Sequence, residues 1–258
     1  MENNSRRNFI RGIALTSLAT AYLPRMKTFA NEKGGHTGPP LQPRLGTVIL
    51  FQGDSITDGN RGRDADPNHI MGHGYAFSIA SRWGAEYPDK RLKFINKGIS
   101  GNKVSDLASR WQADTLDLKP DVLSIMIGVN DSSSVVFKWE PIITVEKYEE
   151  IYQSLLDQTK TQFPDIVFVL CEPFIQPVGK VKDNWEAYKA DITKRQSVVR
   201  KLANQYNAVF IGLQEIFDKA CKKAPAEYWS WDGVHPTVAG HELITREWIR
   251  LVGKRISI

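Results

Sequence analysis

Five short apolar runs, separated by longer stretches in which apolar residues recur every third or fourth position, constrain this chain more than any other feature of its sequence. The runs at 48–51, 92–95, 122–127, 166–170 and 209–211 have the length and the content of β-strands. Between them, Val145, Tyr148, Ile151, Tyr152, Leu155 and Leu156 keep the spacing of a helix with one buried face. Further helices are predicted near 75–87, 104–111, 183–206 and 238–249. Strands this apolar are buried on both faces. Alternated with helices, they predict an α/β fold: a three-layer α/β/α sandwich around a five-stranded parallel sheet. No internal repeat accompanies the alternation.

Composition narrows the class further. A chain of 258 residues, 41% hydrophobic and 24% charged, is one ordinary globular domain with appendages, which excludes collagen, coiled coil and bulk disorder. No apolar stretch reaches the roughly 18 to 20 residues of a membrane span. The net charge of +5 belongs almost entirely to residues 1–30, where Arg6, Arg7, Arg11, Arg25 and Lys27 face Glu2 alone; the remainder holds 29 basic and 28 acidic side chains. A body so nearly neutral, with no basic stripe, predicts no nucleic-acid partner.

The leader itself places paired arginines, Arg6-Arg7, ahead of a weakly apolar run at 12–23, with small residues for cleavage at 28–30. It resembles a twin-arginine export signal. The resemblance implies a signal peptide over 1–30, passage across the membrane in the folded state, and a mature chain from near Asn31 in the periplasm or outside the cell, with no lasting membrane anchor. Residues 31–45, rich in Gly and Pro, read as a linker, and the folded domain is expected over 46–258. Two cysteines, Cys171 and Cys221, are too few for a disulfide framework and read as packing residues.

In an open parallel sheet, ligands bind beyond the carboxyl ends of the strands. There the chain places Gly53-Asp54-Ser55-Ile56-Thr57 after the first run, 96–102 (Asn-Lys-Gly-Ile-Ser-Gly-Asn) after the second, and Gly128-Val129-Asn130-Asp131 after the third, while Asp232-Gly233-Val234-His235-Pro236 precedes the last helix. Together they meet the needs of acyl transfer. Ser55 can be the nucleophile and His235 its base. Asp232, three residues earlier, can orient the imidazole through Nδ1 and leave Nε2 for the serine. An oxyanion hole can come from the N–H groups of Ser55 and Gly101 and the side-chain amide of Asn130. Asp54 reads as a turn residue that accepts backbone N–H groups, Asp131 as a helix cap, and His69, His73 and His241 as exposed or structurally satisfied.

These blocks resemble the GDSL esterases and lipases, also called SGNH hydrolases, over residues 47–250, and 96–102, Trp111, 124–131 and 231–241 are similar to the acetylxylan esterase branch. The resemblance implies a compact flavodoxin-like fold with Ser55, His235 and Asp232 as triad and Ser55, Gly101 and Asn130 as oxyanion hole. It implies no cofactor and no metal. Other signatures fail: no G-x-S-x-G elbow occurs, Ser100 to Lys103 fits S-x-x-K without its companion motifs, and Thr245 stands where a zinc-protease helix begun at His241-Glu242 requires its second histidine.

The polar loop 58–74, with Arg61, Arg63, Asp64 and Asp66, suits a hydroxyl-rich ligand better than a long acyl chain. Trp139, Trp229 and Trp231 offer flat faces for sugar rings. With Arg61 they form the expected substrate-binding set. The expected reaction is hydrolysis of short O-acyl esters, chiefly acetyl, on a carbohydrate such as acetylated xylan or its oligosaccharides, through an acyl-enzyme. Two alternatives stay open: a lysophospholipid or thioester hydrolase with the same triad, and a metal-dependent phosphoesterase with ligands among Asp54, Asn130, Asp131, Asp232 and His235.

Overall fold

The computed structural model describes residues 43–64 and 66–257. The expected signal peptide and nearly all of the expected linker lie outside the described residues.

All five apolar runs form strands: β1 (Val48–Gly53), β2 (Lys93–Asn96), β3 (Val122–Met126), β4 (Val167–Cys171) and β5 (Val209–Ile211). They pair in parallel throughout, in the order β2-β1-β3-β4-β5. This is the flavodoxin-like order, which reverses direction at β1 and opens a crevice between the carboxyl ends of β1 and β3.

Among the described residues, ten α-helices connect and cover the strands: α1 (Ser55–Asp58), α2 (Tyr75–Glu86), α3 (Val104–Trp111), α4 (Val129–Phe137), α5 (Val145–Gln162), α6 (Gly179–Asp183), α7 (Trp185–Gln205), α8 (Leu213–Cys221), α9 (Ala226–Trp229) and α10 (Val238–Arg255). Of these, α2, α3, α5, α7 and α10 were legible from their periodicity, while α4 and α8, nine residues each, were not among the expected helices. The short α1, α6 and α9 were not, because four or five residues are too few to establish a period.

The two faces of the sheet follow the two-residue period of the strands. Ile49, Phe51, Val122, Met126, Val167 and Val169 pack with side chains of α2, α8 and α10. Leu50, Leu123, Ile125, Phe168 and Leu170 pack with α3, α5 and α7. The first layer centres on Trp248 of α10, fully buried, whose ring lies 5.0 Å from that of Trp83 on α2 and 5.5 Å from that of Phe51 on β1. Its Nε1–H donates to the buried Ser124 hydroxyl of β3 at 3.0 Å. One side chain therefore pins the C-terminal helix to the two central strands.

Cys171 is buried on β4, Cys221 lies at the end of α8, and both thiols are free. Trp248→Ala removes the pin and leaves a cavity, so it should cost about 3–5 kcal/mol of stability. Urea unfolding should report this as a lower midpoint with little change in slope.

Candidate active site

Ser55 opens α1 immediately after β1. Asp54 caps that helix, its Oδ1 accepting the Ile56 N–H at 3.0 Å. This fixes the serine on a tight turn at the rim of the crevice. His235 arrives from the other end of the chain, 180 positions away, and its Nε2 lies 2.8 Å from Ser55 Oγ. On the opposite side of the ring, Nδ1 lies 2.6 Å from Asp232 Oδ2. A carboxylate only accepts, so the Nδ1–H donates to Asp232 and Nε2 is left to accept the serine hydroxyl proton.

Asp232 is itself held in place. Its Oδ1 accepts the N–H groups of Val234 at 2.9 Å and His235 at 2.7 Å. The buried Ser230 hydroxyl closes the turn, donating to the His235 carbonyl and accepting the Gly233 N–H, both at 3.0 Å.

The blocks expected to supply oxyanion donors lie at the same edge. Among the described residues no acceptor takes the N–H of Ser55 or of Gly101. Gly101 has φ +83°, a conformation that other residues rarely adopt, and open space where a Cβ would stand. Asn130, in the first turn of α4, donates one amide hydrogen to the Asn102 carbonyl at 3.0 Å, which leaves the second for a ligand. Asn102 is gripped in turn by Arg110, whose Nε–H donates to Asn102 Oδ1 at 3.0 Å and whose guanidinium pairs with Asp114 at 3.1 Å. Asn102 and Arg110 were not singled out in the sequence. The one available signal was the repeat of Asn at both ends of the 96–102 block.

Environment divides the nearby carboxyls. Burial pushes Asp54 up to about 7, against the Ile56 N–H and His235, which pull it down. Burial likewise pushes Asp131 up to about 6, opposed chiefly by Arg195. Asp232 is held below the usual range, because its bonds from His235 and Val234 outweigh the effect of burial. His235 is raised above an ordinary imidazole, first by its bond to Asp232, with burial opposing. Burial lowers His241 to about 4, and its Nδ1 accepts the Tyr75 N–H at 3.2 Å, a structural role as expected.

Other expectations shift. Asp131 does not cap its own helix, where Gly128 occupies the N-cap; its carboxylate instead accepts the first N–H of α3, from Val104, at 3.2 and 3.3 Å. Arg61 turns inward at Nε, which donates to the Gly98 carbonyl at 2.9 Å. The three tryptophans part company. Trp231 is 65% exposed and lies face to face with the His235 ring, centroids 5.6 Å apart. Trp139 is 57% exposed and stacks on Phe137. Trp229 packs against the core instead and donates to the Ala224 carbonyl. Among the described residues, no three His, Cys, Asp or Glu side chains are grouped as metal ligands.

The model of the GDSL-like lipase/acylhydrolase family matches residues 51–243, which includes every block of this edge. The chain belongs to that family. It is a carboxylic ester hydrolase. An acetylxylan esterase of Geobacillus stearothermophilus is 35% identical over 213 residues, 81% of this chain and 94% of that protein. The solved structure of Axe2, an acetylxylan esterase from the same organism, superposes with a TM-score of 0.72 at 33% identity, covering 83% of this chain and 97% of that one. A provisionally assigned GDSL-like lipase from Parabacteroides merdae gives a TM-score of 0.77 at 39% identity, with 83% and 99% covered. Two further Axe2 structures are of catalytic mutants, in which alanine replaces an aspartate and a histidine three positions apart.

An NMR titration of the imidazoles checks the electrostatics. His235 should titrate above 6.5 and His241 near 4. Asp232→Asn, by removing the largest raising influence, should move the His235 midpoint down and leave His241 in place.

Proposed function

We infer that this chain is a serine esterase that removes short acyl groups, chiefly acetyl, from carbohydrate such as acetylated xylan or its oligosaccharides. One observation carries the mechanism: a serine hydroxyl, an imidazole and a carboxylate joined at 2.8 and 2.6 Å. In this reading His235 Nε2 takes the Ser55 proton as Oγ attacks the ester carbonyl carbon. The resulting imidazolium is stabilised by Asp232. The N–H groups of Ser55 and Gly101 and the free hydrogen of Asn130 receive the oxyanion. Collapse of the tetrahedral intermediate expels the sugar hydroxyl, protonated by His235, and leaves Ser55 acylated. Water, activated by the same imidazole, then releases acetate.

The aspartate and histidine of the catalytic mutants of Axe2 have the spacing of Asp232 and His235, which supports this assignment. The carbohydrate substrate is supported by the acetylxylan esterases among the relatives and by the exposed Trp231 face beside His235, a platform on which a sugar ring can stack. The leader over 1–30 adds a location: export by the twin-arginine route, which would bring the enzyme to polysaccharide outside the cytoplasm.

Ser55→Ala and His235→Ala should each lower kcat by about 10⁴-fold or more, and the double variant should be scarcely worse than either. An additive loss would count against the triad. Asn130→Ala should lower kcat by roughly 10²-fold to 10³-fold with a much smaller change in KM. The base works only when neutral and its pKa is raised, so kcat/KM should fall on the acid side with a midpoint above about 6.5. Acetate release from acetylated xylooligosaccharides, compared with hydrolysis of a lysophospholipid, tests the substrate; preference for the lipid would remove the carbohydrate assignment.

A further inference from the structure

Asp58 closes the short helix that Ser55 opens, and at 2% exposure it is buried more completely than a carboxylate on a polar loop has reason to be. Its Oδ2 accepts the Ser100 N–H at 2.9 Å, the Ser100 hydroxyl at 3.0 Å and the Arg63 guanidinium at 2.6 Å. Its Oδ1 accepts Arg63 again and the Arg61 N–H, both at 3.1 Å. Burial works to raise this carboxyl. The Arg63 fork and the two Ser100 donors outweigh it and hold the group below the usual carboxylate range, so it stays an anion wherever a neutral imidazole can act.

Ser100 immediately precedes Gly101. The loop that carries both is seated against α1 at its start: Asn96 Nδ2 donates to the Thr57 carbonyl at 2.7 Å, and a Cβ on Gly98 would stand 2.4 Å from the Asp58 nitrogen. Past Gly98, the Ile99 N–H donates to the Gly53 carbonyl at 3.1 Å and Asn102 is held by Asn130 and Arg110, whereas nothing lies within 4 Å of where a Gly101 Cβ would be. Between those anchors, the bonds to Asp58 tie Ser100, and with it Gly101, to the helix of Ser55.

We propose that Asp58 is a positioning residue that sets the separation of Ser55 and the Gly101 N–H by clamping Ser100 to the nucleophile's own helix, with Arg63 as the counter-charge that lets the carboxylate be buried. The proposal rests on the esterase reading above and adds to it a determinant of oxyanion geometry. An oxyanion donor is engaged most strongly in the transition state, so loosening the clamp lowers kcat and leaves ground-state binding nearly untouched.

The test uses the full chain, with p-nitrophenyl acetate turnover and binding of phenylboronic acid, which forms a tetrahedral adduct with a nucleophilic serine. Asp58→Asn should lower kcat by about 10-fold to 100-fold and weaken boronate binding in step, with KM within about twofold of the parent. Ser100→Ala removes only the hydroxyl donor, keeps the Asp58–Arg63 pair, and should lower kcat roughly threefold at constant KM. A folded Asp58→Asn protein with parental kcat and boronate affinity overturns the proposal, as does a loss confined to KM. Should Asp58→Asn fail to fold, Ser100→Ala decides alone, and parental kcat there overturns it. Ser55→Ala separates the two ideas. Activity surviving in that variant removes the esterase reading itself, whereas an inactive Ser55→Ala beside parental Asp58→Asn and Ser100→Ala removes only the clamp.

Discussion

The hydrogen bond between Ser55 and His235 joins segments 180 positions apart, and the rest of this edge is built to make that meeting possible. Neither segment reaches the other by local preference. The serine is fixed by β1 and the Asp54 cap, while the histidine hangs on a turn between α9 and α10. Trp248 supplies the link, because its contacts with Phe51 and Ser124 seat α10 over the central strands. Ser230 then closes the turn that aims the imidazole, and a backbone bridge between Ser230 and Pro236 keeps it closed. A packing interaction in the core thus governs a polar distance at the surface.

Among the carboxyls near this edge, the number of donors received sorts Asp58, Asp232, Asp54 and Asp131. Asp58 and Asp232 collect several N–H, O–H or guanidinium donors and are held as anions. Asp54 and Asp131 are buried with fewer, and burial raises them to about 7 and about 6. In the proposed mechanism the distinction matters, because the group that props the imidazole must be charged when the imidazolium forms. Asp54 still acts on the base from a distance, its charge adding to the raising effect of Asp232 on His235.

Much of this was legible in the residues. The inner strands β1, β3 and β4 were readable because a strand buried on both faces must be apolar almost throughout, the edge strand β2 only from a shorter apolar run around the exposed Lys93, and the long helices because one buried face imposes a period. Ser55, Asp232 and His235, which the structure brings within hydrogen-bond distance, were candidates because the proposed chemistry requires those residue types after those elements. The supports were not. Asp58 looked like the first residue of a polar rim, and nothing local distinguishes a carboxylate that turns inward to Ser100 from one that faces water. Asp131 looked like a helix cap, yet it lies inside the first turn of α4 and its carboxylate serves the neighbouring α3.

The order of residues by itself determined the layered fold, the placing of the polar blocks past the strands or before the last helix, and the type of chemistry such residues can perform, since each depends on periodicity or on short-range spacing. Only the tertiary structure decided which tryptophan faces solvent beside the imidazole, which carboxyls are held as anions, and what holds the loop of Gly101. Those outcomes depend on burial and on donors brought from distant segments, which a linear spacing does not contain.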